Sequence, residues 1–326
     1  MSSTQRSDRW RPFGWLSPAG RAARLQIFIF HRVLAVPDPL LPDEPDAQRF
    51  DTLVGWIARH FRVLPLSQAA EQLARGTLPA AAACITFDDG YADNRTVAAP
   101  ILHRHAVPAT FFVATGFIGG GRMWNDTVIE AVRRAPDGVL DWHELGLGSH
   151  PLGGAASRVA AYSAVLKSLK HQPPAQRAAL TAEVAQRARL PAESELMMTP
   201  RQLVELRDLG MAIGGHTVSH PILSTLETSV ARAEIDEGRR QLAAWLGEPP
   251  TVFAYPNGVP EQDYTDRDVA LVRDAGYRVA VSTSPGAAQQ GADPLQLPRF
   301  TPWDRDLARF AVRCALNIRR SVPRRV

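Results

Sequence analysis

Two short motifs in this sequence combine carboxylates with imidazoles, the side chains that bind metals and move protons. Asp88 and Asp89 follow an apolar run that reads as a strand, and His216 and His220 stand four residues apart farther along the chain. One carboxylate and two neutral imidazoles form a ligand set for a catalytic zinc, with a fourth position open for water. The other carboxylate would then serve as a base for the attacking water. Together the motifs predict a metal-dependent hydrolase.

Each motif also has a simpler explanation that involves no chemistry. An Asp-Asp-Gly triplet is often only a turn, and two histidines at this spacing commonly lie on a solvated helix face. Here the histidines follow residues 211–215, which read as a short buried strand, and Pro221 disfavours a helix at His220. Both motifs therefore stand at the carboxyl ends of apolar strands, where α/β folds build their sites. This shared location favours the functional interpretation.

The composition is that of an ordinary globular protein. The chain has 326 residues, 45% of them hydrophobic and 21% charged, and a formal net charge of +4. The basic excess lies mostly near the two ends without a nucleic-acid-binding motif, so we expect no nucleic-acid partner. Weak contact with an anionic membrane surface stays open. Two cysteines give no disulfide framework. No apolar stretch is long enough for a signal peptide or a membrane span, so we expect a cytoplasmic location.

Strand and helix patterns alternate along most of the chain, with Ser67 and Thr199 as predicted helix N-caps. This order predicts parallel strands in a barrel or an open α/β sheet. Residues 137–198 interrupt it with a glycine-rich loop at 146–154 and two helical patches, and we interpret them as an insertion over the site. The predicted strands are 25–30, 61–64, 83–87, 109–113, 211–215, 251–255 and 277–282, and the predicted helices include 47–60, 229–246 and 268–275.

Four segments carry a resemblance to a known family: residues 86–91, 108–112, 216–220 and 253–258. In this order they make the chain similar, over residues 25–305, to the polysaccharide deacetylases of the NodB-homology group (carbohydrate esterase family 4). The resemblance implies an α/β fold, a distorted (β/α)7 barrel, to which the interruption at 137–198 would add a helical insertion. An N-terminal extension (1–24) would precede it, and a basic C-terminal tail (306–326) would follow. The implied activity is removal of N-acetyl groups from an N-acetylated glycan or a lipid-linked sugar.

The resemblance also implies roles for individual residues. Asp88 would be the base, and Asp89 would bind the metal together with His216 and His220. Zn²⁺ is the expected ion, with Co²⁺, Ni²⁺ and Fe²⁺ as alternatives. Tyr255, the tyrosine of the Tyr-Pro motif, would offer its backbone N–H to the oxyanion of the reaction.

The sequence departs from the usual family pattern at two places. The family has an acid histidine on a late strand, but no histidine follows His220. Residues 28–33 are similar to a permuted branch in which a histidine ends the first strand, so His31 is the candidate acid. The motif arginine is also missing, and Arg299 could orient Asp88 in its place. A satisfied strand-end histidine and a surface arginine are the plain alternatives for these two residues.

Two other functions remain open from the sequence. The chain could be a non-catalytic, glycan-binding relative that has lost turnover, an idea that the shifted histidine and the missing arginine favour. Retention of both Asp88 and Asp89 opposes it, because binding alone needs no base. The chain could also hydrolyse another amide or an ester, since a metal, a base and an oxyanion donor serve any acyl transfer.

Overall fold

The fold is built around one large, mostly parallel sheet. The computed structural model describes residues 12–170, 172–302, 304–320 and 325–326. The strands within these residues are β1 (Arg24–Phe30), β2 (Arg62–Val63), β3 (Ala82–Phe87), β4 (Thr110–Val113), β5 (Gly138–Trp142), β6 (Gly148–Leu152), β7 (Ala212–Gly215), β8 (Val252–Ala254), β9 (Val279–Val281) and β10 (Ala288–Gln289). The main sheet runs in the order β10-β1-β3-β4-β7-β8-β9, with β2 paired to β3. From β1 to β9 the neighbours are parallel, as predicted.

Residues 297–300 join the two edges of this parallel sheet. Leu297 bridges to Val281 at the end of β9, and Phe300 bridges to Phe28 in β1, both in parallel orientation. The sheet therefore curls into a distorted barrel, which confirms the fold predicted from the sequence.

Most of the helices pack their apolar faces against the main sheet. The helices are α1 (Ala47–His60), α2 (Leu66–Arg75), α3 (Ala99–Arg104), α4 (Trp124–Arg134), α5 (Ala155–Lys170), α6 (Pro174–Arg187), α7 (Pro200–Asp208), α8 (Thr228–Leu246), α9 (Asp266–Asp274) and α10 (Leu307–Arg319). In α1, for example, Phe50, Leu53, Val54 and Ile57 are buried. These positions share one helical face because a helix turns once in about 3.6 residues. Helices α4, α5 and α6 instead pack against one another in a separate cluster.

Helix α7 begins as predicted, whereas α2 does not. The Thr199 side chain accepts a hydrogen bond from the N–H of Gln202, and the Gln202 side chain reaches back to the Thr199 N–H, which is a capping box. The N-cap of α2 is Pro65, without a side-chain hydrogen bond, and the helix begins at Leu66. The predicted cap at Ser67 is therefore wrong, because that residue already lies inside the helix.

The two aspartates directly follow strand β3, which is fully buried. All six of its residues are buried, as expected for a parallel strand that is covered on both faces. The Phe87 ring stacks against Phe30 and Phe111, with ring centroids 5.4 and 4.7 Å apart. Packing on both neighbouring strands therefore fixes the position of the next residue, Asp88.

The insertion forms a small subdomain with its own apolar cluster. β5 and β6 pair as an antiparallel hairpin, and α4, α5 and α6 contribute Val128, Val165 and Val184 to one buried cluster. Two features differ from the prediction: the sequence analysis assigns no helix to α4, and β6 occupies most of the predicted glycine-rich loop. β6 forms because β5 supplies backbone partners that the local sequence does not reveal.

The C-terminal residues form a helix instead of the predicted basic tail. Phe310, Cys314 and Ile318 of α10 are buried in the main core, and their spacing of four places them on one face. At the other end of the chain Phe13 joins the same core. Residues 1–11 of the predicted extension and 321–324 of the tail lie outside the described residues. In the described part no helix is long and apolar enough to cross a membrane.

Candidate active site

Neighbouring parallel strands end side by side and bring His31 next to Asp88. β1 and β3 are in register with Phe30 opposite Phe87. The Asp88 N–H donates to the Phe30 carbonyl at 3.0 Å. The residues that follow both strands therefore start from the same end of the barrel, the carboxyl end where such folds place their chemistry.

Asp88 lies in the fork of Arg299. The guanidinium nitrogens Nη1 and Nη2 donate to Oδ1 and Oδ2 of Asp88, each at 2.7 Å, and Nε donates to the Ser282 carbonyl at 2.8 Å. Both side chains are buried, with Arg299 only 1% exposed. Burial alone would raise the pKa of Asp88, but the charge and hydrogen bonds of Arg299 outweigh it and hold that pKa below its ordinary value. Asp88 is therefore ionised and held in one orientation.

Asp89, His216 and His220 converge on one point. The Nε2 atoms of the two histidines each lie 3.5 Å from Oδ1 of Asp89, and the three ligand atoms lie within 4.8 Å of one another. Nδ1 of His216 is 2.7 Å from the Ala254 carbonyl. Because a carbonyl only accepts, Nδ1 carries the proton and Nε2 keeps its lone pair for a ligand. Among the described residues nothing donates a hydrogen bond to the buried Oδ1 of Asp89.

This donor set fits a divalent cation. Burial would raise the pKa of Asp89, but the neighbouring histidines lower it, so the carboxylate is ionised. Burial lowers the pKa of His220 to about 4, which leaves that ring neutral near pH 7. Burial would also lower the pKa of His216, but the two carboxylates raise it, so a bound cation would take the place of a proton there. A buried carboxylate oxygen without a donor is costly, and a cation between these groups would satisfy it.

Two of the three candidate metal ligands, and a residue next to the third, have a backbone conformation that few residue types adopt readily. Asp89, Thr217 and His220 have left-handed φ values of 77°, 65° and 54°. Such a conformation costs roughly 1–3 kcal/mol per non-glycine residue and is often found at functional sites. The surrounding contacts must therefore stabilise these turns.

Glu234 of α8 holds the loop between the two histidines. Its Oε2 accepts from the N–H groups of Val218 and Ser219 at 2.9 and 2.8 Å, and its Oε1 accepts from the Ser219 hydroxyl at 2.7 Å. Gly238 lets the helix approach the loop closely, since a Cβ there would lie 3.0 Å from the Thr217 carbonyl. Glu234 was not predicted from the sequence, because the helical pattern of α8 does not reveal which polar residue faces back to the histidines.

His31 lines the same cavity as Asp88 and Asp89. Its carbonyl accepts a hydrogen bond from Nδ2 of the buried Asn94 at 2.8 Å, which anchors the loop after β1. The residue is partly exposed, so its ring can meet a ligand. The structure therefore brings together all six of the polar side chains predicted from the sequence for this site: His31, Asp88, Asp89, His216, His220 and Arg299.

Tyr255 does not have the predicted position. Its backbone N–H donates to the Val281 carbonyl at 3.2 Å, and its hydroxyl donates to the Leu295 carbonyl at 3.0 Å. Its ring is buried and stacks on Tyr264 with centroids 3.9 Å apart. The prediction that the Tyr255 N–H meets an oxyanion is therefore wrong, because the hydrogen bonds between β8 and β9 already use it.

Asn257, two residues later, is the residue of this turn that lines the cavity. It has a left-handed φ of 58°, and its carbonyl accepts from the Thr283 hydroxyl at 2.7 Å. Within the described part of the chain its backbone N–H has no acceptor. Asn257 was not predicted from the sequence, because a backbone donor can come from any residue except proline and its residue type therefore gives no signal.

The cavity over these residues has a volume of about 440 Å³ and includes part of the insertion. Met123 and Trp124 line it at the start of α4, and Lys167, Lys170 and Arg177 line it from α5 and α6. The insertion therefore contributes side chains to the cavity wall.

The sequence matches one protein-family model over most of its length. The model described as polysaccharide deacetylase matches residues 75–150 and 154–280, more than half of the chain. This chain belongs to the polysaccharide deacetylase family. The matched residues include Asp88, Asp89, His216 and His220, whereas His31 and Arg299 lie outside them.

Named and solved relatives of this deacetylase agree with the family match. YxkH of Bacillus subtilis (strain 168), whose name assigns it to the polysaccharide deacetylases, is 21% identical over 286 residues, 86% of this chain and 73% of that protein. The structure of IcaB from Ammonifex degensii superposes with a TM-score of 0.60 at 17% identity, over 93% of this chain and 99% of that one. The Streptococcus pyogenes deacetylase PplD in complex with acetate gives 0.57 at 20% identity, over 86% and 92%. At these identities the structures establish the shared fold.

Proposed function

We propose that this polysaccharide deacetylase is a metal-dependent hydrolase that removes N-acetyl groups from an N-acetylated sugar or polysaccharide. The observation that carries the proposal is that two neighbouring carboxylates at one point of the cavity have different partners. Asp88 is ionised in the fork of Arg299, while Asp89 faces two imidazoles with an oxygen that accepts no hydrogen bond from the described residues. The proposed proton acceptor and the proposed cation site would thus stand side by side.

Asp89, His216 and His220 would hold the metal, and their mixture of one carboxylate and two imidazoles favours Zn²⁺, with Co²⁺, Ni²⁺ and Fe²⁺ as alternatives. A divalent ion there would polarise the acetamide carbonyl and lower the pKa of water. The Nδ1–H of His216, bonded to the Ala254 carbonyl, would keep the Nε2 lone pair aimed at the ion.

Asp88 would accept a proton as water attacks the acetamide carbon. Arg299 would act as a positioning residue, because its two hydrogen bonds fix the carboxylate and its charge keeps the carboxylate ionised. The developing negative charge on the carbonyl oxygen needs a donor besides the metal. The backbone N–H of Asn257 is available for this role, whereas that of Tyr255 is already bonded.

His31 would protonate the sugar nitrogen as the carbon–nitrogen bond breaks. Without that proton the nitrogen would leave as an amide anion, which is far too basic to depart in water. The position of His31 beside Asp88, at the end of the adjacent strand, supports this role. The products are then acetate and a free amine on the sugar.

Acetate release tests the proposal. The purified protein should release acetate from at least one member of a panel of N-acetylhexosamine polymers, lipid-linked acetylated sugars and monosaccharides. Added zinc should raise the rate after treatment with a chelator. The His216→Ala variant should neither bind zinc with comparable affinity nor release acetate. If no acetylated sugar is hydrolysed under any metal condition, a non-catalytic glycan-binding role or hydrolysis of another amide or ester takes precedence.

The cytoplasmic location and a loose association with anionic membrane surfaces stay predictions from the sequence. Fractionation of cells that express the full chain, at low and high salt, tests both. Recovery of an exported, processed form would contradict the first prediction, and membrane binding that salt does not reverse would contradict the second.

A further inference from the structure

The cavity wall that the insertion contributes carries positive charge. Lys167 and Lys170 stand near the end of α5, and Arg177 stands in the first turns of α6. Among the described residues that line the cavity, the carboxylates are Asp88 and Asp89. Asp88 is already paired with Arg299, and Asp89 faces the two histidines. The three cations of the insertion are therefore not neutralised by carboxylates of the same cavity.

Lysine is rare in this chain, yet it occurs twice at this cavity wall. Of its 37 lysine and arginine residues, Lys167 and Lys170 are the only lysines in the full sequence, and both line the cavity. Lys167 is exposed and Lys170 is half-buried, and neither forms a salt bridge with a described carboxylate. An ammonium group on a flexible stem is a compact point charge and a common ligand of phosphate groups.

Arg177 adds a buried cation to the same wall. It is 9% exposed, and its Nη1 donates to the Lys170 carbonyl at 3.2 Å. Its guanidinium carbon lies 5.2 Å from the centroid of the Trp124 ring. In the described part of the chain no carboxylate pairs with it, so a buried guanidinium is held by a carbonyl and an aromatic face only. Burying a cation without a counter-charge is costly, and an anionic ligand in the cavity would offset that cost.

We propose that the acetylated sugar on which this enzyme acts carries a phosphate or diphosphate group, and that Lys167, Lys170 and Arg177 bind that group. The inference rests on the proposed deacetylation and names its substrate class. Three cations suit a group with two or more negative charges, and the planar fork of Arg177 can give two parallel hydrogen bonds to phosphate oxygens. Such a group could belong to a soluble sugar phosphate or to the diphosphate of a lipid-linked sugar, and these two sources share the same chemistry.

A binding measurement tests the inference without requiring turnover. In the zinc-loaded Asp88→Asn protein, we would compare the affinity for N-acetylglucosamine 1-phosphate with that for the neutral methyl glycoside of N-acetylglucosamine. We expect the sugar phosphate to bind at least about tenfold more tightly than the neutral glycoside, a difference of about 1.4 kcal/mol in binding free energy. Replacing both lysines with glutamine (K167Q/K170Q) should remove most of that preference. The preference should also fall with added salt.

A matched double variant controls for the loss of two charges. Arg187→Gln with Arg201→Gln removes two charges from α6 and α7 at positions paired with Glu183 and Glu205, away from the cavity. This control should keep the phosphate preference. If K167Q/K170Q binds the phosphate as well as the control does, the phosphate contacts the metal or another part of the site, and the inference is wrong. Equal affinity for the phosphate and the neutral sugar in the protein that retains both lysines would also contradict the inference.

Turnover then identifies the source of the phosphate and separates the two proposals. With the unaltered enzyme, we would compare acetate release from the sugar 1-phosphate, from a polyprenyl-diphosphate-linked N-acetylated sugar in neutral phosphatidylcholine vesicles, and from the methyl glycoside. Faster release from either phosphate-bearing substrate supports the inference, and the better of the two names the source. A phosphate preference in binding without acetate release from any sugar would overturn the proposed deacetylation while leaving the anion site in place. Fastest release from the neutral sugar would overturn the inference alone.

Discussion

Two adjacent aspartates have different surroundings, and at the scale of single residues this difference is the basis of the site. Asp88 meets a guanidinium and Asp89 meets two imidazoles. The left-handed φ of Asp89 turns the chain between them, so the two carboxylates serve different partners. The sequence predicts this division from residue types, but it leaves the partner of Asp88 open, because Arg299 stands 211 positions away.

Replacing Arg299 with glutamine should shift the acidic limb of the pH–rate profile to higher pH. Burial raises the pKa of Asp88 and Arg299 lowers it, so removal of the guanidinium leaves the raising effect unopposed. The base is then protonated over a wider pH range, and activity is lost at a pH where the original enzyme still works. Profiles of kcat/KM against pH would measure the shift. Arg299→Lys keeps the positive charge but cannot form both parallel hydrogen bonds, so its acidic limb should lie between those of R299Q and the unaltered enzyme. An acidic limb at the same pH in R299Q and the unaltered enzyme would contradict the positioning role.

Replacing His31 with alanine should lower turnover by roughly 10²-fold or more, the range expected for a general acid. Metal content should stay the same, because the proposed ligands do not include His31. Steady-state kinetics beside metal analysis would separate the two effects. Near-normal turnover would show that another group or water supplies the proton.

At the scale of elements, strand ends and loops decide which predicted residues meet. Apolar runs identify β1, β3 and β7, so the places of His31, Asp88 and His216 follow from the sequence. Residues 297–300 make only isolated bridges to the sheet and have no strand pattern, yet they carry Arg299 into the site. The error at Tyr255 has a related cause, since the hydrogen bond of its N–H to β9 depends on a pairing that local sequence does not encode.

Glu234 of α8 should matter for metal affinity although it is no ligand. It accepts hydrogen bonds from Val218 and Ser219, which lie between His216 and His220, the two proposed histidine ligands. Glu234→Ala should weaken zinc binding by roughly 10–100-fold, the usual effect of losing an outer partner of a metal site. Competition with a chelator would measure it. Glu237→Ala on the same helix, where Glu237 pairs with Arg240 at the surface, is the control, and equal zinc affinity in both variants would refute the role of Glu234.

At the scale of the whole molecule, Phe13 and α10 pack into the main core and the insertion lines the cavity. Six arginines among residues 306–326 make this segment basic, and from the sequence it is predicted as a tail. The spacing of Phe310, Cys314 and Ile318 was readable as a helical face, but only the fold shows that the barrel has an apolar surface to receive it. The position of Lys167 and Lys170 in the cavity wall likewise follows from the packing of α5 against α4 and β6, which no local pattern predicts.

Helix α10 should therefore stabilise the protein. Phe310→Ala should reduce the free energy of unfolding by about 3–5 kcal/mol, the cost of truncating a fully buried aromatic ring. Val312→Ala on the same helix removes a side chain that is 59% exposed and should change stability by about 0.5 kcal/mol or less. Denaturant unfolding of both variants would compare them. Equal, small effects would show that α10 detaches from the barrel without loss of stability.

The central claim is that Asp88 is the base of a metal-dependent deacetylase, and the acetate-release rate of the Asp88→Asn variant tests it most directly. Asparagine has nearly the same shape but cannot accept the proton, and the proposed metal ligands are untouched. With zinc content verified as equal, the variant should release acetate from the best substrate of the unaltered enzyme at least about 10²-fold more slowly. Release at a rate near that of the unaltered enzyme would contradict the account and reduce Asp88 to a structural partner of Arg299.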